Sequence, residues 1–265
     1  MSETDAPLLF ARENGIARLT FNRPKVGNAI DVPLARALME AAIECDEDDT
    51  IRVVTLTGAG RLFCAGGDVA GFAAAGPRLP MLAKELTAYI HSAVSRFARM
   101  GKPLLTIING PAAGAGFNLA LLGDIAIAAQ SAHFTTAYTA IGLSPDGGVT
   151  WLLPRLVGLR RAQEILLLNK RVSAPEAAEL GMITRVVPDD ALAAEAEAVA
   201  VQLASAATRA LGRTRNLLAN GFNAALEEQL EAESRGIAAA GRDVESQEGI
   251  AAFLAKRKPD FTAKS

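Results

Sequence analysis

KPLLTIINGPAAGAGFNLALLGDIAIAAQSAHFTTAYTAIGLSPDGG, residues 102–148, holds the two features around which the chain is organised. Residues 103–123 carry no charge, and a Gly- and Ala-rich turn lies between their apolar segments. An apolar strand that leads into a Gly-rich turn and a short apolar helix is typical of a site where backbone N–H groups face a negatively charged group. Further on, Asp146 stands in a loop bounded by proline and glycine, and a carboxylate held in this way indicates proton chemistry.

The uncharged run is also long enough to cross a bilayer. However, Asn109, Pro111 and Asn118 interrupt it, and neither flank carries the excess of basic residues that marks one side of a membrane span. We therefore expect no membrane partner. The pattern predicts a strand at Leu104–Ile108, then a turn, then a helix near residues 117–122, all inside a folded core.

Composition and charge exclude several classes of protein. With 265 residues, of which 50% are hydrophobic and 21% charged, the chain can bury a large core and is not disordered. The net charge of −2 and the absence of a basic run argue against a nucleic-acid partner. Two cysteines without CxxC spacing and two histidines form neither a disulfide framework nor a metal site. The acidic N-terminus lacks the features of a signal peptide, so we expect a reducing, cytoplasmic setting.

Hydrophobic patterning divides the chain into an α/β part and a helical part. Residues 51–57 form a predicted strand, Asp31 caps a predicted helix, and a long amphipathic helix is predicted over residues 79–100. Helical patterns dominate the last third of the chain. We predict an α/β core over residues 1–200 and a helical region over residues 201–265, whose apolar faces serve packing or oligomerisation.

Motifs spread over nearly the whole chain carry a family resemblance. They are FNRPKVGNAI (21–30), FCAGGD (63–68), the stretch quoted above, VSAPEAAELGMITRVV (172–187) and GIAAFLAKRKPDF (249–261). In this order they resemble the enoyl-CoA hydratase/isomerase (crotonase) superfamily. The resemblance implies a crotonase-like spiral of ββα repeats with a helical C-terminal region. It also implies assembly into a homotrimer or a hexamer built as a dimer of trimers.

The same resemblance implies an acyl-CoA thioester as the substrate and an oxyanion hole formed by two backbone N–H groups. Carried over by motif, the donors are Gly67 in CAGGD and Ala115 in AAGAGF. Such donors polarise the thioester oxygen and stabilise the enolate as its charge develops. Gly66 and Gly67 permit positive φ and close backbone approach, and Ala65 and Asp68 complete a turn expected to contact the substrate. No separate cofactor is implied, because coenzyme A is part of the substrate.

The reaction depends on which carboxylates are present. Hydratases of the family hold the added water with two glutamates, and this chain has Asn118 and Tyr138 at those positions. Neither side chain exchanges a proton readily at neutral pH, so we expect both to line the acyl pocket instead. Asp146 in GLSPDGG stands where isomerases of the family carry a catalytic aspartate, and this segment most resembles 1,2-epoxyphenylacetyl-CoA isomerase-like members. We predict that Asp146 carries out a 1,3 proton shift, with its carboxylate buried among apolar neighbours of the same loop.

Three other functions remain open at this point. One is enoyl-CoA hydration, and another is an acyl-CoA-binding protein that has lost catalysis, which the missing glutamates would explain. A third is dehalogenation with Asp146 as nucleophile, which needs a positioned histidine. The spacing of His91 does not clearly match that need, and we expect both His91 and His133 to be structural.

Four basic residues are candidates for binding the phosphates of coenzyme A. Arg23 and Lys25 lie in the NRPK turn near the N-terminus, and Lys256 and Lys258 lie in the predicted last helix, which covers residues 245–258. A single surface cation is more often only solvated, so each assignment depends on where the fold places the charge.

Overall fold

The computed structural model describes residues 6–262 of the chain. The strands in this range are β1 (Leu8–Glu13), β2 (Ile16–Phe21), β3 (Val53–Gly58), β4 (Leu104–Ile108), β5 (Ala112–Ala113), β6 (Ile125–Ala129), β7 (His133–Thr135), β8 (Val172–Ser173) and β9 (Arg185–Val187). They form a six-stranded sheet in the order β1-β2-β3-β4-β6-β9 and a three-stranded sheet in the order β5-β7-β8. Apart from the antiparallel β1–β2 pair, neighbouring strands of the large sheet are parallel.

Helices connect and cover these strands. They are α1 (Val32–Glu47), α2 (Val69–Ala75), α3 (Leu79–Arg99), α4 (Ala115–Leu121), α5 (Val149–Val157), α6 (Leu159–Leu167), α7 (Ala174–Glu179), α8 (Leu192–Ala204), α9 (Thr208–Gly221), α10 (Leu226–Ala240) and α11 (Val244–Leu254). The predicted Asp31 cap is confirmed, because its carboxylate accepts a hydrogen bond from the Leu34 amide at 3.0 Å. The fold is thus mixed α/β with a helical C-terminal region, as the sequence predicts.

The large sheet is buried on both faces. One face carries Ala17, Val54 and Leu104 and belongs to the main core with α1 and α3. The other face, with Val53 and Leu105, forms a second apolar cluster with α8. Because both faces are covered, β3 and β4 are buried along nearly their whole length. The predicted boundary at residue 200 falls inside α8, which packs on the sheet.

The uncharged run folds as strand, turn and helix. Its residues form β4, β5 and α4, and all of α4 except its first residue is buried. Among residues 6–262, no helix combines the length and the hydrophobicity that crossing a membrane requires. The run is therefore apolar because it occupies the core of the fold.

The C-terminal helices expose large apolar side chains on the single chain. Helix α10 buries none of its residues, and Phe253 and Leu254 at the end of α11 are 82% and 76% exposed. Helix α11 ends at Leu254, so the predicted extension of this helix to residue 258 is wrong, and Lys256 and Lys258 follow the helix. Apolar faces of this kind suit contact with further protein, so assembly into trimers or hexamers stays a prediction.

Candidate active site

A cavity of about 250 Å³ opens between the Gly-rich turns, helix α3 and the loop that carries Asp146. Most of its wall is apolar, formed by Ile30, Ala65, Val69, Phe72, Ala83, Leu86, Ile90, Ala137, Ile141 and Leu143. The polar side chains that reach it are those of Thr87, Tyr138, Ser144 and Asp146. A cavity of this composition suits an apolar group whose reactive end meets a few polar groups.

The two Gly-rich turns pack directly against each other. The Ala113 amide donates to the Cys64 carbonyl at 2.9 Å. A Cβ at Gly66, where φ is +91°, would lie 2.8 Å from the Ala113 carbonyl oxygen, and a Cβ at Gly116 would lie 2.3 Å from that of Cys64. Only glycine tolerates such approaches, so the glycines bring the turn at residues 64–67 against the start of α4.

Gly67 and Ala115 both line the cavity, one in the first turn and the other at the first position of α4. Within residues 6–262, neither backbone N–H donates to a protein acceptor, whereas the neighbouring amides of Gly66, Asp68 and Gly114 are all hydrogen-bonded. An oxyanion hole needs two backbone donors without a protein acceptor at the wall of one cavity, and the assignment of Gly67 and Ala115 to it stays a prediction.

The ring of Phe72 packs against the backbone of Gly67 at the cavity wall. Of the two adjacent glycines, only Gly66 adopts the positive φ that both permit. A Cβ at Gly67 would instead lie 2.6 Å from Cζ of Phe72, which belongs to α2 and also lines the cavity. The missing side chain at Gly67 therefore lets the ring of Phe72 pack directly on the backbone that carries the free amide.

Asp146 reaches the cavity from a partly exposed loop. Asp146 is half-buried. The sequence predicted that apolar neighbours of the same loop bury its carboxylate, and this is wrong for the single chain, because Ile141 and Leu143 are 50% and 37% exposed. Ile141 ends the short 3-10 turn Thr139–Ile141, and Leu143 follows this turn at the protein surface. They line the cavity without enclosing the carboxylate.

Tyr138 is the direct partner of the Asp146 carboxylate. Its hydroxyl donates to Oδ1 of Asp146 at 2.6 Å. Burial, followed by the negative charge of Asp146, raises the pKa of Tyr138 above its ordinary value. Tyr138 therefore stays protonated at neutral pH and supports the ionised carboxylate as a hydrogen-bond donor. It also lines the cavity, where the sequence places it.

The raised pKa of Tyr138 predicts a delayed titration. The chain has two tyrosines, so Tyr138 is the single tyrosine of a Tyr89→Phe variant. We expect no phenolate absorbance from this folded variant as the pH passes 10.0, the ordinary value. Adding Asp146→Asn removes the neighbouring charge and shifts the onset to lower pH. Phenolate formation near the ordinary value, with the fold intact by circular dichroism, contradicts the observed pairing.

Asn118 lies under the Asp146 loop rather than on the cavity wall. It is 1% exposed, and it is absent from the lining residues, unlike the expectation from the sequence. Its Nδ2 donates a short hydrogen bond to the Gly147 carbonyl. Its Oδ1 is buried and has no partner among the described residues. The position occupied by a glutamate in hydratases thus carries an amide that contacts the loop backbone.

His91, on helix α3, contacts the same loop through the backbone of Gly147. The Gly147 amide donates to Nε2 of His91 at 3.1 Å, although 56 residues separate the two in the chain. We expected His91 to be structural, and the fold brings it into contact with the residue that follows Asp146. No sequence pattern indicated this contact, because it exists only once α3 packs beside the loop.

His133 has no part in this site. His133 lies on β7 of the three-stranded sheet, and its Nδ1 lies 3.1 Å from Nη2 of Arg171. Burial and the positive charge of Arg171 lower the pKa of His133. A neutral imidazole beside a guanidinium fits the structural role that the sequence suggests.

Arg23 and Asp68 pair with each other and with neighbouring backbone. Nη2 of Arg23 lies 2.9 Å from the Asp31 carboxylate and 3.4 Å from that of Asp68. Asp68 also caps α2 through the Gly71 amide at 3.1 Å. Both side chains are absent from the cavity lining. They therefore hold the first turn against the start of α1, and the substrate contacts predicted for them stay a prediction.

The three candidate lysines are exposed. Lys25 lies in a 3-10 turn, Pro24–Val26, that directly precedes Gly27, and a Cβ at Gly27 would lie 3.4 Å from Cβ of Ala65 in the cavity wall. Lys256 and Lys258 lie beyond α11, and the structure gives none of the three lysines a salt bridge within residues 6–262. Their charges are therefore accessible to an anionic group in solution.

Comparison with known proteins places this geometry in context. The model of the enoyl-CoA hydratase/isomerase family matches residues 11–264. The 1,2-epoxyphenylacetyl-CoA isomerase of Escherichia coli (strain K12) is 43% identical over 254 residues, which cover 95% of this chain and 97% of that protein.

Two further relatives represent other reactions. The 4-chlorobenzoyl coenzyme A dehalogenase-2 of Arthrobacter sp is 33% identical, covering 96% of this chain and 93% of that protein. The crystal structure of an enoyl-CoA hydratase from Polaromonas sp. JS666 superimposes with a TM-score of 0.90 at 33% identity, over 96% of this chain and 98% of that one. The relatives thus include proteins named as an isomerase, a hydratase and a dehalogenase.

Proposed function

This chain belongs to the enoyl-CoA hydratase/isomerase family, and we propose that within it the protein is an isomerase that moves a double bond along an acyl-CoA thioester. The observation that carries this proposal is the composition of the cavity. Asp146 is its one lining carboxylate among the described residues, and the free amides of Gly67 and Ala115 belong to the same wall. A single acid/base group beside two oxyanion donors suits proton transfer at the carbon next to a thioester.

The proposed reaction needs one carboxylate, used twice. With a 3-enoyl-CoA, Asp146 takes a proton from C2, and the electron pair of that C–H bond enters a dienolate whose oxygen accepts from the Gly67 and Ala115 amides. The new O–H bond of Asp146 then breaks as its proton goes to C4. The double bond now lies between C2 and C3. Tyr138 donates to the carboxylate while it is ionised, which is its state at the start and end of the cycle.

Hydration receives less support from the residues present. Adding water requires a group that accepts its proton, and the two positions used by hydratases hold Asn118 and Tyr138. The Nδ2 of Asn118 is bonded to the Gly147 carbonyl, and the raised pKa of Tyr138 keeps its phenol protonated. Enoyl-CoA hydratase therefore remains the alternative, and a catalytically silent acyl-CoA-binding protein is the other.

Proton exchange in heavy water separates an isomerase from a silent protein. We expect the wild-type protein to introduce deuterium at the α or γ carbon of an acyl-CoA that it binds, because Asp146 lies in a partly exposed loop and its new O–H exchanges with solvent in the dienolate complex before a proton goes to carbon. The measurement is mass spectrometry of the recovered thioester against an incubation without protein. Tight binding with no deuterium above that control would contradict the isomerase and favour the silent alternative.

A second candidate reaction is supported by the His91 contact. Dehalogenation needs a positioned histidine, and the hydrogen bond between His91 and Gly147 brings one next to the Asp146 loop, although His91 does not line the cavity. In that reaction a carboxylate oxygen of Asp146 bonds to the halogen-bearing ring carbon, halide leaves with the bonding electron pair, and water cleaves the resulting ester. Chloride release from 4-chlorobenzoyl-CoA tests this candidate, and the isomerase proposal expects none.

The remaining proposals concern assembly and the nucleotide end of the substrate. The exposed apolar faces of α10 and α11 support a homotrimer, or a hexamer built from two trimers. Lys25, Lys256 and Lys258 remain candidates for the phosphates of coenzyme A, since their charges are exposed. Arg23 is a weaker candidate than the lysines because its guanidinium already faces two carboxylates.

A further inference from the structure

Gly147, the residue after Asp146, is held from two sides by two different helices. Its N–H donates to Nε2 of His91 on α3 at 3.1 Å, and its carbonyl accepts a short hydrogen bond from Nδ2 of Asn118 on α4. Both polar groups of one peptide residue are therefore bound by side chains rather than by helix or sheet partners. Asn118 is 1% exposed, so its contact is built into the core.

The backbone around Gly147 needs such support. Gly147 and Gly148 have successive positive φ values of 64° and 86°, and Gly148, the residue before α5, provides no side-chain cap for that helix. Consecutive glycines in left-handed conformations have many alternative states and no intrinsic preference for this one. The two side-chain bonds select one conformation, and Asp146 is attached directly to it.

We propose that His91 and Asn118 are positioning residues that fix the Asp146 carboxylate through Gly147. This inference rests on the proposed isomerase function and extends it to two residues that do not line the cavity. Tyr138 donates to one oxygen of the Asp146 carboxylate. The hydrogen bonds of His91 and Asn118 to Gly147, which we call the Gly147 clamp, fix the backbone from which that carboxylate projects. The His91 bond requires an unprotonated Nε2, so the neutral ring carries its proton on Nδ1.

The test replaces His91, the exposed one of the two residues that bind Gly147. His91→Leu removes the acceptor, and His91→Gln is the matched control, because its amide oxygen can accept from the Gly147 N–H. A displacement of about 1 Å of a reacting group costs on the order of 100-fold in rate. We expect His91→Leu to lower kcat by about 30- to 100-fold with KM little changed, and His91→Gln to stay close to wild type.

A double variant separates this inference from the proposed function. In an Asp146→Asn background, His91→Leu should cause no further loss, because the clamp acts only through the carboxylate. Wild-type kcat in His91→Leu, or equal losses in the Leu and Gln variants, overturns the clamp. Full activity in Asp146→Asn alone overturns the proposed function instead. Since His91 is exposed, these variants should fold, and thermal melting verifies that they do.

Discussion

Asp146→Asn should lower kcat for double-bond isomerisation by about three orders of magnitude, within the range that general acid–base catalysis contributes. The amide cannot accept and return a proton, but its oxygen can still accept from the Tyr138 hydroxyl that now bonds to Oδ1 at 2.6 Å. The geometry of the loop should therefore survive. The measurement is turnover of a 3-enoyl-CoA together with the affinity for a saturated acyl-CoA, which should stay within a few-fold of wild type.

The control for this variant is Asp190→Asn. Asp190 is an exposed carboxylate in a 3-10 turn, Asp189–Ala191, and it is absent from the cavity lining. Its replacement makes the same change in charge and should leave turnover unchanged. Turnover of Asp146→Asn within about tenfold of wild type contradicts a role for Asp146 in proton transfer.

Ala115→Pro should remove one oxyanion donor without breaking the fold. Proline has no N–H, and Ala115 occupies the first position of α4, where proline is tolerated. The preceding Gly114 has φ 52° and ψ −127°, the mirror image of the extended conformation that residues before proline favour, and glycine adopts either hand. Loss of one donor costs about 100- to 1000-fold in kcat.

A matched variant distinguishes the lost donor from added bulk. Ala115→Ser enlarges the side chain and keeps the backbone N–H, so we expect it to retain most of the activity. Equal losses in the Pro and Ser variants mean that the size of the residue matters rather than its amide. Activity of Ala115→Pro close to wild type, with an unchanged melting temperature, contradicts the assignment of this amide to the oxyanion hole.

Local sequence patterns predicted the long elements of the fold and failed for the short ones. Strand β4 has the predicted bounds, because it is an apolar run between a charged segment and a glycine-containing turn. Helix α2 was missed because it buries none of its residues and so has no periodic signal. The two- and three-residue strands β5 and β9 exist only through pairing with distant strands.

For the candidate site too, local sequence patterns predicted some residues and missed those that depend on distant contacts. Motifs placed Gly67, Ala115 and Asp146 in one cavity, since each lies in a turn whose glycines and prolines are visible in the chain. His91 had no such signal, because its partner Gly147 lies 56 residues away and the contact exists only after α3 packs beside the loop. Asn118 was expected at the cavity wall, and only the tertiary structure turns it towards the Gly147 carbonyl.

The central claim is that the protein moves a double bond and does not add water. The most direct measurement is the mass and absorbance of the product formed from a panel of 3-enoyl-CoA thioesters of increasing chain length and with aromatic substituents. The account predicts a product of unchanged mass that gains the absorbance of a conjugated 2-enoyl thioester. A product heavier by one water, with the spectrum of a 3-hydroxyacyl-CoA, would contradict it.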